Sequence, residues 1–395
     1  MADEPTPGAL EGIRVVEIAS GGAVAYAGLL LAQSGAEVIR IEPPGGDAIR
    51  SAGPFLDDQF ALDGGGLHRL LNGGKRSVAL DITSEAGARF AGKLVASSQL
   101  LIANWQTPSA SPLPLADSEA MAELFPDTIY VSISPFGRTG PYADRKADSL
   151  VIESAAGMSY VSGKPDREPM SSGVEVAEYY GAATAWIAGL AALADKEAGT
   201  DHHFVDVSMH ECLSAADDHN LPVYIGTGAI RRRYYSRVLI IYPSDSLPVK
   251  DGYVAFVLAG FDVGGMIAEL IEEPEQATNP IVANGQDRLL NWQEFDKIVE
   301  PWMTSHTKEE VLRRSDEIGL AFADVATTED LVNDPHLAER SYWQTLPDGG
   351  LVPGPSVRFS ETPMRVAPPP DLGEGTAELL ELDGPTAALL WRGEA

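Results

Sequence analysis

Short β-branched runs alternate with helical segments between residues 13 and 133, and this pattern constrains the fold more than any other feature. A β-branched run at 13–18 is followed by Gly21 and Gly22, a small-residue apolar segment at 23–34, and a second β-rich run at 37–41. This spacing predicts a β-α-β unit. The alternation then continues with strand-like 77–80, helix-like 84–97, strand-like 100–103, helix-like 117–124 and strand-like 129–133. Such alternation predicts an α/β fold with a parallel, doubly wound sheet.

The rest of the chain predicts a longer helix and then a smaller α/β domain. Apolar and small residues keep helical spacing over 176–196, a strand is expected at 204–207, and the first domain should end near residue 220. A strand at 253–258 follows the Asp251-Gly252 turn, and helices are expected at 261–272, 292–305 and 308–318. The Pro-rich stretch 353–370 predicts a connecting segment before one more helix at 376–382.

The charge of the chain argues against a nucleic-acid ligand. There are 58 acidic and 28 basic residues, which gives a formal net charge of −30. A phosphodiester backbone requires a positive surface, and the only dense basic cluster consists of Arg231, Arg232, Arg233 and Arg237. Two interpretations of that cluster stay open: pairing with acidic residues in a solvated or inter-domain stretch, or contact with a ligand phosphate.

Nothing in the sequence predicts a membrane span or export. The longest nearly uninterrupted apolar stretch, 182–194, is shorter than the roughly 18 residues that a spanning helix needs. The first residues lack the pattern of a secretory signal, and Cys212 is the only cysteine. We therefore expect a cytoplasmic protein.

Dinucleotide and metal sites are also disfavoured. Gly21, Gly22 and Gly28 do not have the G-x-G-x-x-G spacing that brings a backbone close to a pyrophosphate. His202 and His203 are adjacent on an expected strand, so their rings should point to opposite faces and cannot share a metal ion. We expect no metal.

Several motifs in order along the chain resemble those of family III CoA-transferases, the group that contains formyl-CoA and carnitine CoA-transferases. They are Gly12-Ile-Arg-Val-Val-Glu, Gly35-Ala-Glu-Val-Ile-Arg-Ile-Glu-Pro-Pro, Lys75-Arg-Ser-Val-Ala-Leu-Asp, Phe136-Gly-Arg-Thr-Gly-Pro-Tyr-Ala-Asp-Arg, Asp206-Val-Ser, Tyr242-Pro with Asp251-Gly-Tyr, Asp334-Pro, and Leu372-Gly-Glu-Gly-Thr-Ala-Glu-Leu-Leu. The match extends from about Gly12 to Leu382.

The resemblance implies a specific architecture and reaction. A large Rossmann-like domain would comprise 1–220 and a return segment at 336–395, with a linker and small domain at 221–335 between them. Two chains would thread through each other as an interlocked dimer, either a homodimer or a heteromer with a related chain. Members transfer CoA from an acyl-CoA to a carboxylic acid through a covalent intermediate on an aspartate.

In this sequence Glu178 occupies the position of that aspartate, ahead of Gly189-Leu-Ala-Ala-Leu. A carboxylate near a helix N-terminus should be kept ionised by the helix dipole and remain a usable nucleophile. A glutamate is one methylene longer, and misplacing a reacting atom by about 1 Å can cost on the order of 100-fold in rate. Two interpretations stay open: Glu178 is a working nucleophile or base, or it is a residual carboxylate. Glu175 is the second candidate, with a solvated loop acid as the alternative.

The resemblance also places coenzyme A, as substrate, against matched positions. They are Ala23, Leu80, Asp81, Ile82, Thr83, Asn104, Trp105, Gln106 and Lys146. For Trp105 a core aromatic is an alternative to a CoA contact, and for Lys146 an ordinary surface lysine is.

The sequence departs from the family pattern at several positions that matter for activity. Pro43 replaces a frequent arginine, Gly22 a glutamine of formyl-CoA transferases, Thr83 a common lysine, and Ser149 an acidic helper. These losses predict weaker CoA binding or a different acyl chemistry. Two alternatives to transfer therefore remain: a non-catalytic or CoA-binding subunit, and an acyl-CoA isomerase or racemase, although the stretch 147–157 lacks the histidine that the racemases need.

Overall fold

The computed structural model describes residues 7–18, 21–55, 58–104, 111–200, 204–217, 219–233, 242–258 and 263–382. In chain order, the first elements are β1 (Arg14–Ile18), α1 (Gly22–Gln33), β2 (Glu37–Glu42), a 3₁₀ turn (Ala48–Ser51), α2 (Gly66–Leu71), β3 (Arg76–Ala79), α3 (Glu85–Ala96), β4 (Leu100–Asn104), α4 (Ser118–Leu124), β5 (Ile129–Ser134), α5 (Ser149–Ala155), α6 (Met158–Val161), α7 (Val176–Glu197), β6 (Phe204–Ser208), α8 (Met209–Ala216) and α9 (Asn220–Thr227).

The later elements are β7 (Ser244–Val249), β8 (Gly252–Val257), α10 (Val263–Leu270), a second 3₁₀ turn (Pro274–Thr278), α11 (Pro280–Ala283), α12 (Gly285–Leu290), α13 (Trp292–Ser305), α14 (Lys308–Ile318), β9 (Phe322–Asp324), α15 (Thr328–Val332), α16 (Pro335–Glu339), β10 (Trp343–Thr345), β11 (Leu351–Pro353) and α17 (Thr376–Leu379). These elements form two compact units. The first comprises Met1–Gly157, Ser172–Asp218 and Pro335–Ala395, and the second comprises Met158–Ser171 and His219–Asp334.

The first unit is built on a six-stranded parallel sheet with the strand order β3-β2-β1-β4-β5-β6. The central strands are apolar runs covered on both faces, as parallel sheets require. Val16 of β1 lies between Ile39 of β2 and Leu101 of β4, and all three side chains have no solvent exposure. The strand order reverses between β1 and β4, which is the arrangement of doubly wound Rossmann-type sheets.

The last part of the first unit packs along its edge strand β3. The Gly375 N–H donates to the Ser77 carbonyl at 2.9 Å, and the Ala79 N–H donates to Thr376 Oγ1 at 3.0 Å. Arg76 Nη2 also lies 2.7 Å from a carboxylate oxygen of Glu378. The backbone groups at this edge of the sheet are therefore bonded by the segment that contains α17.

Lys75, from the Lys-Arg-Ser motif, is buried in a polar cluster beneath α1. Its Nζ donates to Glu17 Oε2 at 2.8 Å, to the Ala25 carbonyl at 2.7 Å and to Asn72 Oδ1 at 2.9 Å. Burial lowers the pKa of Lys75 well below its ordinary value, and nearby Arg40 adds to this effect. Because Ala25 belongs to α1, this lysine ties the helix to the sheet and serves the core.

The second unit contains an antiparallel sheet of β7, β8 and β9 covered by helices. Its core includes Val254 and Phe256 from β8 packed with Phe295, Val299 and Met303 from α13. Residues 158–171, which the sequence prediction left in the large domain, group with this unit. Within this unit the Arg233 side chain donates to the Tyr160 carbonyl at 3.0 Å and to the Lys164 carbonyl at 3.2 Å.

None of the helices in the described ranges combines the length and the apolar character needed to cross a bilayer.

Candidate active site

A cavity of about 220 Å³ opens where the strand order of the large sheet reverses. Open α/β sheets bind their ligands at this point, beyond the carboxyl ends of the strands. Residues that follow β1, lie at the ends of β4 and β5, precede α5, or begin α7 and α8 converge on the cavity. They are Gly21, Gly22, Ala23, Asn104, Ile133, Pro135, Ala147, Asp148, Glu178 and Met209.

Glu178 lies in the first turn of α7 and faces the start of α1. Its carboxylate accepts hydrogen bonds from the backbone N–H groups of Gly22 and Ala23. These N–H groups belong to the first turn of α1, where they have no partner within the helix. The side chain therefore bridges two helix starts, and the positive end of the α1 dipole faces its negative charge.

Small residues on both helices allow this approach. The buried face of α7 contains Ala177, Gly181, Ala182 and Ala185, and α1 packs against α7 with Ala23 and Ala27 buried. Tyr26 and Tyr179 meet edge to face beside the site, with ring centroids 4.8 Å apart. Because the side chains between α1 and α7 are small, the two helices can lie close together. The Glu178 carboxylate is therefore within reach of the α1 backbone.

Ser149 secures the helix that carries Glu178. Its hydroxyl accepts the N–H of Ala177 at 3.0 Å, and only 2% of the Ser149 surface is exposed. The N–H of Ala177 lies in the first turn of α7, so without this bond it would have no partner within its helix. At the position where the resemblance implies an acidic helper, this chain thus has a hydroxyl that caps the helix of the candidate nucleophile.

The pKa of Glu178 is raised from its ordinary value. Burial is the largest cause and the charge of Glu175 is the second, whereas the N–H groups of Gly22 and Ala23 lower it. A smaller upward contribution comes from Asp148. The sequence predicts that the helix dipole keeps Glu178 ionised, which would lower its pKa. In the structure, burial of the carboxylate raises the pKa by more than the backbone donors lower it.

Glu175 does not have the same surroundings. It is an exposed residue, and its side chain makes no capping hydrogen bond to α7. Its contribution to the cavity is electrostatic, through the raised pKa of Glu178. This placement fits the solvated-acid interpretation of Glu175 better than the nucleophile interpretation.

The structure brings some of the predicted CoA contacts together with Glu178 and leaves others apart. Ala23 and Asn104 line the same cavity as the carboxylate. Lys146 is exposed and adjoins the lining residue Ala147 without lining the cavity itself. Trp105 and Gln106 lie outside the described residues.

The stretch from Leu80 to Thr83 follows the edge strand β3, away from the reversal of strand order. Leu80 and Ile82 are buried, and Ser111 Oγ donates to the Ile82 carbonyl at 2.8 Å. Asp81 Oδ1 accepts both the N–H and the hydroxyl of Thr83, at 2.9 and 2.6 Å. These contacts form the turn that precedes α3, so the polar groups available to a ligand here are limited.

Two further predictions concern cationic and metal sites. Arg231 Nη1 donates to Asn220 Oδ1 at 3.2 Å and Arg233 to backbone carbonyls, while Arg237 lies outside the described residues. Within the described ranges there is no group of three or more histidine, cysteine, aspartate or glutamate side chains placed to hold a metal ion. His202 and His203 lie outside those ranges.

Comparisons with known proteins bear on the whole chain. The model of "CoA-transferase family III" matches residues 10–376. The chain is 29% identical over 342 residues to a succinyl-CoA–D-citramalate CoA-transferase of Chloroflexus aurantiacus, covering 86% of this chain and 84% of the relative. It is 31% identical over 379 residues to a succinyl-CoA–L-malate CoA-transferase alpha subunit from the same organism, covering 94% and 88% of the two chains.

A comparison with solved structures also points to this family. The fold matches the crystal structure of a CaiB/BaiF family protein from Brucella suis with a TM-score of 0.85 and 27% identity, covering 94% of this chain and 98% of the other. The family model matches nearly the entire chain, and the structure has a carboxylate in the cavity where the strand order reverses. The chain belongs to CoA-transferase family III.

Proposed function

We propose that the protein is a CoA-transferase that moves CoA between an acyl-CoA and a carboxylic acid, with Glu178 as the covalent nucleophile. The observation that carries the proposal is the Glu178 carboxylate, held at the reversal point of the sheet by the N–H groups of Gly22 and Ala23. Of the two candidate carboxylates, Glu178 and Glu175, Glu178 lines the cavity and Glu175 is exposed outside it. Family membership supports the reaction class, and the site supports the residue.

The reaction needs no group beyond the carboxylate and the two substrates. An oxygen of Glu178 attacks the thioester carbon, the C–S bond breaks, and a mixed anhydride and CoA thiolate form. The thiolate then attacks the glutamyl carbonyl carbon and releases the first acid as its carboxylate, which leaves a glutamyl-CoA thioester. The acceptor carboxylate attacks the carbonyl carbon of this thioester, which breaks the C–S bond, releases CoA thiolate and forms a second mixed anhydride. The thiolate then attacks the carbonyl carbon of the acceptor and breaks its bond to the Glu178 oxygen, which gives the new acyl-CoA. The Glu178 carboxylate is thereby regenerated.

The surroundings of Glu178 suit this role. Its raised pKa makes the carboxylate more basic than a solvated one, and basicity supports nucleophilic attack. The backbone donors fix its position without introducing a side chain that competes for the thioester. Ala23 and Asn104 are proposed to contact the acyl-CoA near the reacting carbon, with Leu80 to Thr83, Trp105, Gln106 and Lys146 as proposed contacts farther along CoA.

The names of the relatives suggest which substrates to test first. Both Chloroflexus relatives are named for succinyl-CoA and for a small hydroxylated dicarboxylic acid, D-citramalate in one and L-malate in the other. The purified chain should be mixed with succinyl-CoA and a panel of short carboxylic acids, and the new CoA esters measured by chromatography. We expect transfer with the native chain and with E175Q, and none with E178Q. Equal transfer by E178Q would overturn the assignment of the nucleophile.

A second candidate function is that of one subunit in a hetero-oligomeric CoA-transferase. The relative named as an alpha subunit favours it, as does the glutamate at the nucleophile position. This alternative predicts no transfer by the isolated chain with any donor, and recovery of transfer when a related chain with aspartate at this position is added. Transfer by the isolated chain would rule it out.

We also propose that the chain functions as an interlocked dimer. The helix α9 has no buried residue in one chain, and Leu221, Tyr224 and Ile225 on it are between 48% and 75% exposed. Helices with apolar residues exposed to this extent usually contact another surface. Sedimentation equilibrium should give twice the chain mass, and a monomer at micromolar concentration would contradict the proposal.

A further inference from the structure

Gly22 occupies a position whose backbone does not require glycine. It begins α1, and its φ angle lies outside the left-handed range, whereas the preceding Gly21 has φ 105° and ψ 170°. Alanine is a better helix residue than glycine, because glycine loses more conformational freedom on folding. The absence of a side chain at position 22 therefore has to be explained by its surroundings.

The space that a side chain would take at Gly22 is filled by the carboxyl group of Glu178. A methyl group placed on Gly22 would overlap Oε2 of Glu178 and lie 3.4 Å from its Cδ. The next nearest atom, Leu71 Cδ1, would be 3.9 Å away, which is an ordinary contact. Only the glutamate carboxyl group is thus in severe conflict with a side chain at this position.

The same carboxyl group is the one that the α1 backbone holds. The N–H groups of Gly22 and Ala23 donate to it, so the missing side chain and the hydrogen bonds concern the same few atoms. A glutamate side chain is one methylene longer than an aspartate side chain. Because Gly22 has no side chain, the carboxyl group of the longer residue fits next to its Cα. A side chain there would push the carboxylate away from its donors.

We infer that Gly22 is a positioning residue that allows glutamate to serve as the nucleophile, so that positions 22 and 178 function as a pair. The inference rests on the proposed function of Glu178. On this inference, the absence of a side chain at position 22 makes room for the extra methylene of the glutamate at position 178. Gly22 contributes backbone and space, and Glu178 contributes the reacting atoms.

The test is a double-mutant cycle with Gly22→Ala and Glu178→Asp. In the glutamate background, G22A should lower kcat about 100-fold, because a displacement of about 1 Å at the reacting atom has an effect of that order. KM for the acyl-CoA should stay within about threefold, because G22A adds one methyl group to the cavity lining and leaves Ala23 and Asn104 in place. In the aspartate background, G22A should change kcat less than about threefold, because the shorter side chain leaves room for the methyl group.

Thermal unfolding of the same four proteins gives a readout that does not depend on transfer. G22A should raise the melting temperature in the E178D background and raise it less, or lower it, in the native background. Gly92→Ala is the matched control, since it lies within α3 and its methyl group would meet only ordinary contacts at 3.6 Å or more. G92A should raise the melting temperature equally in both backgrounds.

The two proposals fail in different ways. Additive effects of G22A and E178D on both kcat and melting temperature would overturn the pairing, even if Glu178 is the nucleophile. Absence of any transfer by the native protein would overturn the proposed function, while non-additive melting temperatures would still establish that residues 22 and 178 are coupled. Additive melting temperatures in an inactive protein would overturn both.

Discussion

Replacing Glu178 by glutamine tests whether this carboxylate serves chemistry or structure. Glu178→Gln keeps the length and shape of the side chain, and its amide oxygen can still accept the N–H groups of Gly22 and Ala23. Only the charge and the nucleophilic oxygen are lost. We expect at least about a 1,000-fold fall in kcat, since removing a covalent nucleophile usually costs this much or more.

The same substitution should stabilise the protein at neutral pH. The folded pKa of Glu178 is raised above the ordinary value of 4.5 because burial and the charge of Glu175 disfavour the ionised form. A raised carboxyl pKa contributes stability at pH values below 4.5, and this contribution is lost as the pH rises through the folded pKa. Each unit by which the pKa exceeds its unfolded value costs the ionised folded protein about 1.4 kcal/mol, and glutamine removes that cost.

Calorimetry of both proteins in a pH series from 4.5 to 8 measures this difference. The melting temperature of E178Q relative to the native protein should increase with pH and level off once Glu178 is ionised in the folded state. About 1.4 kcal/mol corresponds to roughly 2 °C for a unit of this size. Glu197→Gln is the matched control, because it removes the same charge from an exposed side chain at the other end of the same helix.

A structural role for Glu178 predicts the opposite result. In that case E178Q would be less stable than the native protein, by an amount that grows with pH, because an ionised carboxylate would be the better partner for the backbone donors. That outcome, combined with retained transfer activity, would show that Glu178 is not the nucleophile.

Three further predictions concern the groups around the carboxylate and beneath it. Glu175→Gln should lower the pKa of the proposed nucleophile, so the acidic limb of the kcat/KM profile should move to lower pH; an unmoved limb would contradict the electrostatic role. Ser149→Ala leaves the buried N–H of Ala177 without its acceptor and should cost about 1–2 kcal/mol, measured by thermal unfolding, whereas Ser149→Thr should retain most of the stability. Lys75→Met leaves the Glu17 carboxylate, which has no solvent exposure, without one of its partners and should cost about 3 kcal/mol; a change below about 0.5 kcal/mol would contradict the buried ion pair.

The large sheet could be predicted from the sequence because its signal is local. Apolar β-branched runs separated by helical spacing gave each of the six strands to within two residues, including β1 at Arg14–Ile18 and β6 at Phe204–Ser208. The helices α13 and α14 were predicted with the observed ends, since Thr307 forms a capping box with Glu310 that separates them. Family III membership, inferred from motifs, is confirmed by the family match.

Elements with weak local signals were missed. The strand β7 (Ser244–Val249) carries three polar residues and a proline, which is a poor strand pattern, and pairing with β8 supplies what the sequence lacks. The helix α5 (Ser149–Ala155) has only seven residues, too few to show a helical period.

The site shows the same division between local and long-range information. Glu178 was identified from its place in a helix and in a motif, but its contact with Gly22 joins residues that are far apart in the sequence. The sequence shows glycine at position 22 as a departure from the family pattern, but it contains no local signal for the cause. The cause becomes visible only when α1 and α7 pack together, because a missing side chain leaves no signal until its neighbours are known.

Trapping the covalent intermediate identifies the carboxylate that attacks the acyl-CoA. The native protein is incubated with succinyl-CoA, treated with borohydride, digested, and mapped by mass spectrometry. Borohydride cleaves a glutamyl-CoA thioester and reduces the side chain to an alcohol, so we expect this change at Glu178 only when acyl-CoA is present. Reduction at another carboxylate such as Glu175, or transfer of CoA with no reduced residue, would contradict this expectation.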